Sequence, residues 1–307
     1  MTGRYLLQHW SLDPFLIVII AVVALHEAGL HRLAGRSRPE RTRMRRRRSV
    51  AFYAGLLVLL VSIMSPLDYW ADYYFYVHMV QHLFLMFAAP SLTVAGAPWL
   101  PLTHGIPVGV RRSVGRFLIL SEAAAPIRLV GRVVLSPVTA VVAFNGVMIA
   151  WHVPALFDLG YRNPAVHIWL EHGSMFLAGM LFWSQIIPSY PLRIRMSPLR
   201  QAQALLFTNV EMIVLAMSLS LLTSGSWYAV YDHLPGVTLS PFADQQIGAS
   251  ILWVCGDFWA LPALMVAIGR FVQIEGGASQ ALERILKRPV VTVADLTAVP
   301  EQPGPRV

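Results

Sequence analysis

Seven long apolar runs constrain this chain more than any other feature: Pro14–Leu33, Val50–Pro66, Tyr73–Gly96, Pro137–Phe157, His167–Ile187, Gln201–Leu222 and Ile247–Phe271. A helix that crosses a bilayer needs about 20 mostly apolar residues. Inside lipid only a helix or a closed barrel satisfies its own backbone. The runs predict an all-α, polytopic membrane protein with seven transmembrane helices. Charged residues are 13% of the 307, about half the roughly 25% of a soluble domain. That sets aside a water-soluble enzyme, and the apolar content sets aside a disordered chain.

Local signals mark several boundaries. Ser136-Pro137, Asn163-Pro164 and Ser197-Pro198 each put a capping residue before a proline at the first helical position. Pro90, inside the third run, predicts a kink there. Residues 1–272 read as the seven-helix domain. Residues 273–307 read as a polar cytoplasmic tail, helical over Ala278–Lys287. No internal repeat and no cleavable signal is evident.

Charge sets the expected orientation, because cytoplasmic loops carry the excess of Lys and Arg. The segment Arg36–Arg48 holds eight Arg against one Glu. Loop 98–135 holds Arg111, Arg112, Arg116, Arg128 and Arg132, and loop 188–200 holds Arg193, Arg195 and Arg200. The alternate loops carry Asp68, Asp72, Asp158, Asp232 and Asp244. The pattern predicts the N-terminus outside and the C-terminus inside. It also accounts for the net charge of +8 without a nucleic-acid partner, and the Arg45–Arg48 run is expected to attract anionic lipid of the bilayer. Arg111–Leu120 mixes Arg with apolar residues, as in a segment lying on the membrane surface.

With that topology His78, His82, His152, His167 and His172 fall toward the outer ends of the third, fourth and fifth spans. His233 and His9 lie outside, and His26, His31 and His104 belong to the inner side. Polar side chains within spans are costly and face the bundle interior or a wet cavity. His78 and His82 are four apart, so they share a helical face. Met86 continues that row about 6 Å deeper, and Met79 lies a turn to the side. Imidazole with thioether suits Cu(I) better than it suits hard cations. The plain alternative is a His pair satisfied by neighbouring helices, with Met as core filler.

His152 follows Trp151 at the end of its run and reads either as an interfacial residue or as a ligand. His167 and Glu171 are four apart, so the carboxylate could orient the imidazole. His172 and Met175 are three apart and are expected to face another direction. Asp244 reads as the N-cap of the seventh helix, or else as a hard ligand or an acceptor behind one. Glu211 and Asp257, near mid-span, read as an interhelical hydrogen-bond lock or part of an ion path. The single cysteine, Cys255, excludes an internal disulfide and any paired-cysteine motif. No nucleotide-binding, zinc-protease or serine-hydrolase motif is present.

His78-Met-Val-Gln-His82, then Ala89-Pro90 and Gly96-Ala-Pro98, resembles the third-helix signature of the multi-span CtaG-type cytochrome c oxidase assembly factors. The likeness continues through Trp151-His152-Val-Pro154-Ala-Leu-Phe157-Asp158, His167…Glu171-His172, Phe182-Trp183 and Asp244-Gln245-Gln246-Ile-Gly248. It covers roughly residues 50–272 and departs at Trp253-Val-Cys255-Gly-Asp257, where the family pattern has Pro-Gly after the Trp-Val. The resemblance implies a bacterial plasma-membrane protein, not an enzyme, that supports assembly of a haem–copper oxidase by handling copper. It implies oxidase subunits and a copper donor protein as partners, and the five outer histidines as the polar cluster. A copper importer or resistance channel and a haem-handling protein are the competing readings. A metal-free scaffold is the bland one.

Overall fold

The computed structural model describes residues 8–232, 234, 236–275, 283, 286 and 287. Every regular element among them is helical. In chain order they are α1 (Phe15–Ala34), α2 (Pro39–Met64), α3 (Pro66–Ala71), α4 (Phe75–Leu83), a π-helical turn over Phe84–Ala88, α5 (Ala89–Ala95), α6 (Trp99–Gly105), α7 (Val108–Leu120), α8 (Ala125–Val134), α9 (Pro137–His152), α10 (Pro154–Arg162), a second π-helical turn over Val166–His172, α11 (Gly173–Ile186), α12 (Pro198–Ser220) and α13 (Pro241–Glu275). The tail helix expected over Ala278–Lys287 lies outside the described residues except at 283, 286 and 287, and His233 lies outside them too.

Among the described residues five helical stretches are long and apolar enough to cross a membrane: α1, α2, the run Phe75–Ala95, α12 and α13. A sixth arises if Glu122–Val134 and Pro137–His152, bent by 64°, form one broken span. The chain is thus a multi-pass helical membrane protein. The stretch from Val166 through Ile186 is also helical without a break, but His167, Glu171 and His172 lower its apolar character.

Three helix starts follow the local capping signals. Ser136 Oγ accepts the Thr139 amide at 3.1 Å and Ser197 Oγ the Arg200 amide at 3.4 Å. Asn163 Oδ1 accepts the amides of Ala165 and Val166 at 3.1 and 3.3 Å. Each removes donors that a helix N-terminus otherwise leaves unpaired. The break expected at Pro90 appears as the π-helical turn just before it. Pro90 has no N–H to offer the carbonyl four residues back. That carbonyl, Met86 O, instead accepts the Trp183 indole N–H at 3.1 Å, which ties α11 to the third span.

The core lies between these helices. Phe52, Ile63, Leu85, Phe144, Phe182 and Trp183 are at its centre, and Phe144 stacks on Phe182 with ring centroids 4.4 Å apart. Met86 and Met175 belong to this core. Where helices meet most closely they do so through glycine: a Cβ on Gly29 of α1 would overlap the Pro101 carbonyl, and one on Gly105 of α6 would overlap the Leu25 carbonyl. In lipid such close packing replaces the hydrophobic drive between helices. Helices α7 and α8 bury no residue. Arg128 ties the two together, donating to the carbonyls of Leu118 and Ser121 at 3.0 and 2.8 Å.

A separate aromatic cluster closes one end of the bundle. Phe75, Phe157, Tyr228 and Tyr231 are all buried there, and burial pushes the two tyrosine hydroxyls up, so both act as neutral donors. Tyr231 donates to the Ala71 carbonyl at 2.8 Å and Tyr228 to the His152 carbonyl at 3.0 Å. Directly beneath this layer lie the histidines.

Candidate metal centre

Glu171 organises the site. Its carboxylate is 1% exposed and its two oxygens face different partners. Oε1 lies 3.2 Å from His78 Nε2 and 3.1 Å from His82 Nε2, while Oε2 lies 2.8 Å from His167 Nδ1. A buried carboxylate is tolerated when several donors satisfy it. His78 and His82 meet the same oxygen because their four-residue spacing puts both on one face of α4, with ring centroids 4.2 Å apart.

Asp244 holds α4 in place. Tyr74, at the N-cap position, gives no side-chain cap. The Asp244 carboxylate, from α13, takes over, accepting the Phe75 amide at 2.7 Å and the Tyr76 amide at 3.0 Å. Asp244 was expected to cap its own helix. Ser240 does that instead, through its hydroxyl and the Ala243 amide at 3.2 Å. Asp244 therefore caps the helix that carries the histidine pair.

His152 arrives from α9. Its Nδ1 lies 2.6 Å from the Met148 carbonyl, which can only accept, so Nδ1 carries the proton and donates. The other nitrogen, Nε2, meets Met79 Sδ at 3.3 Å. Among the described residues Met79 supplies the sulfur that meets an imidazole. Met86, expected one turn below His82, lies in the core, since the π-helical turn beginning at Phe84 breaks the four-residue row. Met175 is likewise core.

The second π-helical turn changes how the Val166–Ile186 stretch presents its side chains. In an α-helix His167 and His172 would point apart, as the sequence suggests. Here their ring centroids are 4.1 Å apart, because π winding closes on the fifth residue. His172 is 3% exposed, and neither of its ring nitrogens has a hydrogen-bond partner. His82 Nδ1 is also unpartnered and buried. His78, His82, His152, His167 and His172 thus form one chain of neighbouring rings, with His78 to His167 at 5.9 Å and His82 to His152 at 5.8 Å completing it.

Among the described residues two groups have the spacing of metal ligands: His78, His82 and Glu171, and Asp68, His167 and His172, with ligand atoms within 4.8 Å in each. Sequence reading gave Glu171 an accessory role and took Asp68 only as a loop charge. Asp68 lies 3.9 Å from His167 Nε2 and accepts from Gln81 Nε2 at 2.6 Å, while Gln81 also donates to the Ser62 carbonyl at 2.8 Å. Gln81 inside His78-Met-Val-Gln-His82 was the one available hint. Nearby, burial pushes the Asp13 carboxyl up, against the pull of the Phe15 amide, and the charge of Asp68 adds to the push. Negative charge is therefore crowded beside His167.

The other polar positions stay apart from this centre. Asp257 accepts from the Asn209 amide, as an interhelical lock requires. Cys255 is exposed and so does not join the buried cluster. Both Glu211 carboxylate oxygens lack a hydrogen-bond partner.

Helical spans with a buried histidine–carboxylate cluster at one end define a multi-pass membrane protein built around a polar centre. The model of the cytochrome c oxidase caa3 assembly factor family (Caa3_CtaG) matches residues 24–273, a range that includes every cluster residue and Asp244. The chain belongs to that family. No curated protein and no solved structure matches it.

Proposed function

We propose that this protein holds copper at the His78–His82 end of the histidine cluster, on the outer face of the bacterial plasma membrane, and passes it to a subunit of the oxidase it helps assemble. One observation carries the reading: three imidazoles from two helical segments converge on a single buried carboxylate, and beside them a fourth, His152 from α9, meets a thioether. Imidazole and thioether are copper ligands. Glu171, by accepting ring N–H groups, fixes which nitrogen of each histidine is free to bind.

Seven spans, N-terminus out and C-terminus in, fit this role. Five stretches qualify by length and hydropathy, and α9 and the Val166–Ile186 run supply the others. The cluster sits at the end of α2 far from Arg41–Arg48, where Gln81 reaches the Ser62 carbonyl. Under the positive-inside rule that end faces outward, and α7 and α8 lie along the inner surface. Membrane lipid is the solvent, oxidase subunits are the acceptors and a separate copper protein is the donor.

The transfer is an exchange of ligands and makes or breaks no covalent bond in the protein, so it is carriage rather than catalysis. Neutral imidazoles hold the ion with few ligands. A partner with more ligands takes it as each imidazole lets go, and the tautomers return to the hydrogen bonds of the free site. Transport is the rival that draws on Glu211; copper uptake into sealed vesicles separates it from carriage.

The test is metal content. Purified full-length protein is expected to retain stoichiometric copper, and His78→Ala with His82→Ala to lose it and to lower copper in the assembled oxidase. Copper-free protein together with unchanged oxidase copper in the double variant would end the proposal.

A further inference from the structure

Beside the copper position the geometry points to a second cation site, formed by Asp68, His167 and His172, which takes a borderline divalent cation such as zinc. This rests on the reading of the His78–His82 end as the cargo position, which it adjoins through Glu171.

Three observations lead there. First, Glu171 Oε2 accepts the Nδ1 proton of His167 at 2.8 Å, so whenever the ring is neutral Nε2 is its bare nitrogen. That nitrogen faces Asp68 Oδ1 at 3.9 Å, too far for a hydrogen bond. Two acceptors so placed repel each other unless a positive charge lies near both. A zinc ion at about 2.0–2.2 Å from each ligand spans such a gap. Second, His172 sits 3% exposed with both ring nitrogens unpartnered, and its ring lies 4.1 Å from that of His167. A buried nitrogen left unpaired is costly, because it has given up water for nothing. The cavity that His172 also lines is almost wholly apolar, with Phe15, Leu56, Trp169 and Phe176 in its wall, so the Asp68 side is the polar surrounding of this ring. Third, Asp68 is already oriented: Gln81 donates to it at 2.6 Å and is itself anchored on the Ser62 carbonyl. The three ligand atoms lie within 4.8 Å of one another.

The donor set decides the class of ion. Two imidazoles and a carboxylate suit zinc and its neighbours, whereas Cu(I) prefers sulfur and imidazole. Crowded negative charge from Asp13, Asp68 and Glu171 favours a dication over a monocation. A proton on His167 Nε2 is the competing occupant, and binding of the cation releases it. The second ion would hold His167, and through it Glu171, in a single orientation while the neighbouring cargo ion comes and goes.

The experiment counts both ions on purified full-length protein, stripped with a chelator, then loaded with zinc and, under anaerobic conditions, with Cu(I). Wild type is expected to keep one zinc and one copper per chain after desalting. Asp68→Asn and His172→Gln should each lose the zinc and keep the copper, and His78→Ala with His82→Ala should do the reverse. Copper without zinc in the wild type, or zinc surviving in both Asp68→Asn and His172→Gln, overturns the second site and leaves the cargo reading standing. Zinc that depends on Asp68 in a protein that takes no copper upholds the second site and sinks the cargo reading. Retention of neither ion sinks both.

Discussion

The rings of His167 and His172 stand 4.1 Å apart between centroids because the backbone between them winds as a π-helix. In an α-helix, residues five apart point roughly 140° away from each other. The π turn gathers His167, Glu171 and His172 on one side, facing α4. π-Helical turns of this sort are frequent at functional sites, and this one assembles half of the cluster.

Removing one residue from that turn should undo the gathering without unfolding the helix. Leu170 is 58% exposed and its deletion costs little packing. Far-UV circular dichroism of the deletion protein should match wild type, while retained metal falls sharply. Unchanged metal content would mean that the π turn is incidental to the site.

Asp244→Ala should weaken α4 at its start, since it strips acceptors from the Phe75 and Tyr76 amides. Loss of such a cap costs about 0.5–2 kcal/mol. Thermal unfolding should shift down and copper affinity should fall with it, because His78 and His82 ride on that helix. Asp244→Asn keeps one acceptor oxygen and should recover most of both.

Glu171→Gln keeps the shape and one acceptor but loses the charge that three histidines share. Partners of metal-binding histidines are worth 10–100-fold in affinity, and a drop of about that size is expected in competition against a coloured Cu(I) chelator. An affinity within twofold of wild type would remove Glu171 from the centre of the account.

Protons compete with the ion for the same imidazole nitrogens. Loading should therefore weaken toward acid pH, where the site's imidazoles take up protons. Copper retention should not rise at any step of an acid titration. Binding that strengthens as pH falls would argue for ligands other than histidine.

The α1–α6 crossing gives a stability test away from the metal. Gly29→Ala places a Cβ on the Pro101 carbonyl, an overpacking that costs about 1–3 kcal/mol. Gly115→Ala has nothing within 4 Å of the new atom and serves as the control. A lower unfolding temperature is expected for the first and no loss for the second.

Much of the fold was legible in the sequence because its causes are local. Apolar runs become helices wherever the solvent is lipid, and Ser136, Asn163 and Ser197 cap the helices they precede through neighbouring amides. The pairing of His78 with His82 was legible for the same reason, since four-residue spacing sets a shared face. Met86 was misread by that very rule, because the backbone leaves α-helical winding at Phe84.

By itself, then, the sequence determined which segments are helical, how apolar they are, and that polar residues cluster toward one end of several of them. Tertiary structure decided which of those residues meet. Glu171 became the hub, Asp68 a neighbour of His167, and Asp244 the cap of a helix 169 residues away. The physical reason is that these contacts depend on helix rotation and crossing, which are set by packing and by the two π turns. A rotation of one residue is about 100°, enough to turn a ligand toward lipid, and no local pattern in the chain specifies it.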